Sequence, residues 1–279
     1  MASLGIGPWI MRHKRSMWVA AGGVAGEAVI AVIPGKKDTP INSKIPPPVV
    51  SSGLVPDFTF TTTDITQDWP AINVTAGVGW WIDWGDGTVD SFIGTGADQN
   101  PTHNYAGAGT YTIGFGIDDP TALVSFQCND NNLSGSIPDL SSNTTLLYFW
   151  CYNNSLTGSI PDLSSNTALV WFRCNDNNLS GSIPDLSSNT ALLWFYCYNN
   201  NLSGYTASTI AAACIDFKAQ NNALSLAAVD QILTDFTTNA GARPGTGTID
   251  ISGGTNATPT AATKAACVAA LPGWTINTN

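Results

Sequence analysis

Few residues in this chain are equipped for bond-making chemistry. It has two histidines, His13 and His103, and one glutamate, Glu27. The signatures G-x-S-x-G, H-E-x-x-H and G-x-x-x-x-G-K-[ST] do not occur. Asp139, Asp162 and Asp185 recur at one position of a repeating unit, so they follow the fold rather than a reaction. No pair of acids is marked out for glycoside cleavage. The expectation is a protein that is not an enzyme and has no cofactor. One cluster fits a hard cation: Asp83, Asp86 and Asp90 stand close together in WIDWGDGTVD, and calcium wants gathered carboxylate oxygens. Asp86-Gly87 is also a strong hairpin-turn signal, and the turn is the preferred reading.

The cysteines carry a different message. Cys128, Cys151, Cys174 and Cys197 are separated by 23 residues each, which is no zinc spacing. Each copy also carries a Leu, a Phe, an Asn and a second Leu at fixed offsets: Leu123, Phe126, Asn131 and Leu133 in the first, Leu169, Phe172, Asn177 and Leu179 in the third. A worn fifth copy runs through Cys214, Phe217, Ala219, Asn222 and Leu224. One such unit cannot bury its apolar side alone, so copies must stack on a shared core. The cysteines then lie at one inward position on neighbouring strands, as small apolar thiols. In-register side chains point the same way, which suits a disulfide poorly. Each Asn is placed to bond backbone groups at a turn.

The pattern L-x-x-F-x-C-x-x-N-x-L resembles the leucine-rich repeat, with Phe and Cys in place of two leucines. The LSGSIPDL that follows is similar to plant-type and bacterial variants. After the repeats, 224–241 and 258–273 have helical character and flank a strand at 247–254, and GWTINTN reads as a last strand. This end resembles the closing segment of some bacterial leucine-rich-repeat proteins. Before the repeats, 58–62, 71–77, 79–94 and 103–117 are strand-like. WIDWGDGT and HNYAGAGTYTI resemble the paired motifs of the PKD family, which implies an immunoglobulin-like sandwich.

The expected fold is therefore mainly β: a PKD-like β-sandwich plus a short leucine-rich-repeat solenoid with an α/β C-terminal cap. The expected divisions are an N-terminal anchor and Pro-rich spacer (1–53), the sandwich (54–120), the repeats (121–224) and the capping region (225–279).

Alternation along each strand sends the neighbours of Phe and Cys to the opposite face. These are Ser125, Gln127 and Asn129, then Tyr148, Trp150 and Tyr152, then Trp171, Arg173 and Asn175, then Trp194, Tyr196 and Tyr198. Seven of these twelve are aromatic, on a face that usually meets solvent in this fold. A contiguous patch of this kind marks an interface or ligand groove, and Trp, Tyr and Arg favour binding hot spots. The expected binding residues are Tyr148, Trp150, Tyr152, Trp171, Arg173, Trp194, Tyr196 and Tyr198. A glycan or a protein would suit them. Packing within the chain and a homo-oligomer contact are the competing readings.

Charge separates the head from the body. Residues 1–50 hold six basic and two acidic residues, a balance of +4; the rest holds four basic and eighteen acidic, a balance of −14. An acidic body excludes nucleic acid as its partner. No apolar run is long enough for a transmembrane span. The segment 17–33, behind Arg12, Lys14 and Arg15, reads as an uncleaved anchor to a larger assembly, with a signal peptide as the alternative. The Gly-rich start is similar to those of some tailed-phage particle proteins. The combined expectation is an extracellular structural or binding protein. It would be a virion fibre or decoration, or alternatively a secreted or cell-surface bacterial adhesin.

Overall fold

A run of alternating residues cannot stay single, and here each repeat donates one short strand to a common parallel sheet. The computed structural model describes residues 55–279. The anchor and spacer expected over 1–53 lie outside the described residues. In the repeats the strands are β9 (Leu123–Gln127), β11 (Tyr148–Trp150), β13 (Trp171–Arg173), β15 (Trp194–Tyr196) and β17 (Asp216–Lys218). They pair in parallel with a register that matches Phe126, Phe149, Phe172, Phe195 and Phe217 side by side. These rings are buried and stack at centroid distances of 5.4 to 5.8 Å. Burying one such side chain contributes about 2–3 kcal/mol, so the column is the main apolar spine of the solenoid. The cysteines form a second inward column two residues on, all buried and free.

The chain leaves each strand through a residue in the left-handed region: Asp130, Asn153, Asp176, Asn199 and Asn221, with φ between 52° and 61°. Asp and Asn tolerate that conformation better than other side-chain-bearing residues. The next residue is the repeat asparagine. Asn177 donates to the carbonyls of Cys151, Cys174 and Asn175 and accepts from the Leu156 N–H. Asn154, Asn200 and Asn222 do the same in their own coils. A second ladder, not foreseen from the sequence, runs through Asn143, Asn166 and Asn189, where each side chain bonds carbonyls of the preceding coil. On the far side, β10 (Ser134–Ser136) pairs with β12 (Ser155–Thr157), and β14 (Ser180–Ile183) with β16 (Asn201–Tyr205).

Ahead of the repeats come β1 (Phe58–Thr62), β2 (Thr66–Asp68), β3 (Ala71–Val74), β4 (Gly79–Asp83), β5 (Val89–Ile93), β6 (Asp98–Gln99), β7 (Thr102–Asn104) and β8 (Tyr111–Ile117). Every strand-like stretch read from the sequence contains one of them. Neither sheet ends at residue 120, however. β3 runs antiparallel along β9, setting Ile72 beside Phe126, and β1 pairs with β10 through Thr61 and Ser134. Phe58, Trp69 and Phe115 all pack against Phe126 at 5.0 to 5.4 Å. The N-terminal strands thus share the solenoid's core and cover its first coil. The reason is the open edge and apolar end that any stacked array presents.

At the other end, α1 (Leu226–Thr238) starts on Ser225, whose hydroxyl accepts from Ala228 N, and α2 (Ala261–Ala270) on Thr260, which accepts from Thr263 N. Val229, Ile232, Leu233 and Phe236 are buried as their spacing predicts; Leu226, in the first turn, is exposed instead. β18 (Gly247–Asp250) and β19 (Trp274–Asn277) continue the parallel sheet past β17.

Burial pushes the thiols of Cys128, Cys151, Cys174 and Cys197 up, so they stay protonated and unreactive at neutral pH. We expect a thiol-labelling reagent to modify these four at the rate of global unfolding, with fast labelling only after denaturant is added. Peptide mapping without reductant that found them paired would contradict this.

Candidate functional site

The face opposite the Phe column is a grid set by strand register. One row across the sheet reads Tyr148, Trp171, Trp194. The next reads Trp150, Arg173, Tyr196. Just past the strand ends, Tyr152, Asn175 and Tyr198 follow on the same side. Arg173 is the centre, and seven of its eight neighbours in this arrangement are aromatic. Its guanidinium lies 4.0 Å from the ring centroid of Tyr152 and 5.5 to 5.6 Å from those of Trp150, Trp171 and Tyr196. The eight residues expected to form the face are thus brought together, each half-buried against its neighbours.

The rings do not form a flat platform. Trp150 meets Trp171 edge-on, at 4.8 Å and 71°, and Trp171 meets Trp194 at 5.0 Å and 44°. Side chains of this size on strands about 4.8 Å apart must tilt to fit. The indole N–H groups of Trp150 and Trp171 and the Nε–H of Arg173 are shielded and have no partner.

Polar residues border the grid. Asp216 receives the Tyr196 hydroxyl at 2.5 Å and pairs with Lys218 at 3.0 Å. Burial, and then the bond to Asp216, push the Tyr196 phenol up. Asp130 accepts from Asn129 and Asn153, and Asp176 from Asn175 and Asn199. Asp216 and Lys218 were missed as part of this face. They flank Phe217 in the worn fifth copy, so the offset that found the others would have found them. The face is not open to solvent throughout, as the alternation had implied. Ser125 and Gln127 point to this face but are only 2% and 9% exposed, and Asn129 and Asn175 are buried as well. Alternation gives a side chain's direction and says nothing of how much its neighbours cover it.

The three aspartates of the calcium candidate are each engaged in the hairpin. Asp83 accepts from Gly85 N, Asp86 from the Thr88 N–H and hydroxyl, and Asp90 from the Trp84 indole. Asp86 also meets His103 at 2.9 Å, and the His103 ring stacks on Trp84 at 4.9 Å. Gly85 and Gly87 have φ of 80° and 90°, which the turn requires. Among the described residues no three His, Cys, Asp or Glu side chains gather as a metal site. A shallow groove between the two helices is lined by Thr234, Thr237, Ala262, Thr263 and Ala266, with no titratable group.

No family model and no curated protein matches the chain. Among solved structures, it is similar to the BIR2 ectodomain of Arabidopsis thaliana, with 28% identity and a TM-score of 0.33 over 37% of this chain and 57% of that one. The plant peptide hormone receptor RGFR1, solved in complex with RGF2, gives 23% identity and a TM-score of 0.44 over 57% and 25%. The functional domain of InlJ from Listeria monocytogenes, which includes a cysteine ladder, gives 19% and 0.33 over 53% and 33%. The chain thus spans less than two thirds of each of these. No helix among the described residues is long and apolar enough to cross a membrane. From Leu123 to Leu224 the chain is a solenoid of parallel coils with a Phe column and asparagine ladders, the pattern that resembles the leucine-rich repeat.

Proposed function

We propose that this protein is a non-enzymatic binding and display module at an outer surface, and that the aromatic grid around Arg173 is its partner-binding face. One observation carries the reading: seven aromatic side chains and an arginine are gathered on the outer side of the sheet, where the repeat core does not need them. Leucine-rich-repeat domains are generally non-catalytic binding modules, and partner-binding energy concentrates in Trp, Tyr and Arg at the centre of a patch. Residues 54–120 serve as a PKD-like cap on the solenoid's first coil. Residues 1–50, basic and ending in a Pro-rich stretch, attach the module to a larger assembly, a tailed-phage particle in which it is a fibre or decoration. A bacterial surface adhesin is the second reading, favoured by the apolar segment 17–33 behind Arg12, Lys14 and Arg15, which has the order of a secretion signal.

The test is a double variant, Trp171→Ala with Trp194→Ala, compared with the parent chain on protein and glycan arrays. Each anchor should account for roughly 2 kcal/mol or more of binding. Thermal stability should fall by about 1 kcal/mol for each lost ring, since these rings pair only within the face, with its other rings and Arg173. Capture that survives the double variant would remove the face from the reading. Lost self-association in place of lost capture would make it a subunit contact.

A further inference from the structure

Resting on that reading of the face, we propose that its partner is an acidic peptide segment, one whose Asp or Glu carboxylate seats over Arg173 while a flanking apolar side chain lies on the tryptophans. The four basic residues of the described chain show why. Lys218 is met by Asp216, Arg243 by four backbone carbonyls, and Lys264 by the Thr278 hydroxyl. The guanidinium of Arg173 alone makes no hydrogen bond and no salt bridge among the described residues, although its neighbours have stripped water from its Nε. A shielded donor without a partner is costly, and Trp150 Nε1 and Trp171 Nε1 add two more beside it. Within the grid these donors outnumber the one shielded acceptor without a partner, Asn175 Oδ1; Asn129, Asp216 and Gln220 each leave a shielded oxygen unpaired on its border. The Nη groups of Arg173 are not shielded and make no hydrogen bond, and the ligand group that meets them offers acceptor oxygens and carries negative charge, as a carboxylate does.

The border sharpens the choice. Asp130, Asp176 and Asp216 edge the face and repel an acid that lands off-centre, so a single carboxylate registers at Arg173. Tilt decides between a peptide and an acidic sugar. Sugar rings need open, flat aromatic faces, whereas these indoles meet one another at 71° and 44° and present edges as well as faces. Such an uneven surface suits side chains better than a flat sugar ring.

The experiment uses the full chain and defined twelve-residue peptides carrying a central Asp, Glu, Asn, Gln or Lys between Leu and Tyr, titrated by fluorescence anisotropy. Peptides with a central acid should bind about tenfold more tightly than their amide twins, and the gap should narrow as salt rises. In Arg173→Gln the gap should vanish, and in Arg173→Glu the Lys peptide should be preferred. Indole N–H shifts of the unaltered chain give a measure that needs no variant: the acid peptide should move the Trp150 and Trp171 signals, and its amide twin should not. Peptides that bind without acid preference and are lost on Trp171→Ala overturn this inference and leave the proposed face standing. Binding undiminished by Trp171→Ala overturns both. Tetragalacturonate binding where no peptide binds would also overturn it, in favour of an acidic glycan.

Discussion

Replacing Asn177 by alanine should lower the unfolding free energy by about 3 kcal/mol, while the same change at Asn178 should move it by less than about 0.5 kcal/mol. The two residues are adjacent and chemically identical, so the contrast isolates position. Asn177 is buried, donates to three carbonyls at 3.0 to 3.2 Å and accepts from the Leu156 N–H at 2.9 Å. Alanine leaves that buried N–H without its side-chain acceptor and opens a gap between two coils. The side chain of Asn178 is exposed; only its backbone is used, donating to Leu156 O. Denaturant unfolding of both variants checks this. Because each coil contacts only its neighbours, hydrogen exchange should rise first in the coils on either side of Asn177. Equal losses at the two sites would mean that the ladder is not what holds the coils together.

Arg243→Met should destabilise the C-terminal end by about 2–4 kcal/mol, and Arg243→Lys should do no better. This guanidinium is only 8% exposed and has no carboxylate. It donates to the carbonyls of Phe236, Ile210, Ala211 and Cys214, and stacks on Phe236 at 4.4 Å. It therefore ties the end of α1 to the loop before β17. Burial lowers its pKa, yet an arginine stays charged at any ordinary pH, so the tie is not a pH switch. Methionine fills the space and satisfies none of the carbonyls. Lysine keeps a charge but cannot reach four acceptors with one ammonium. Loss of exchange protection beginning in residues 210–279 is the expected signature, since an array frays from its ends. A lysine variant as stable as the parent would show that charge alone is sufficient.

Much of the molecule was legible in one dimension because its contacts are local in a repeated sense. A 23-residue period aligns Phe126, Phe149, Phe172 and Phe195, so one alternating strand predicts the face of every other. The Asp-Gly hairpin at 86–87 also depends on residues within three or four positions. The grid around Arg173 was likewise implied by offset. Its surroundings were not. That Ser125 and Gln127 are covered, that Arg173 lacks an acid while Lys218 has one, and that the indoles tilt are all matters of packing between coils. The largest decision left to tertiary structure lies at the start of the solenoid. Two segments that read as separate units share both sheets and one core through β3 on β9 and β1 on β10. Strand pairing is made by backbone groups that every residue carries, so no side-chain pattern names a strand's distant partner; only the need to cover an open coil, met in three dimensions, decides it.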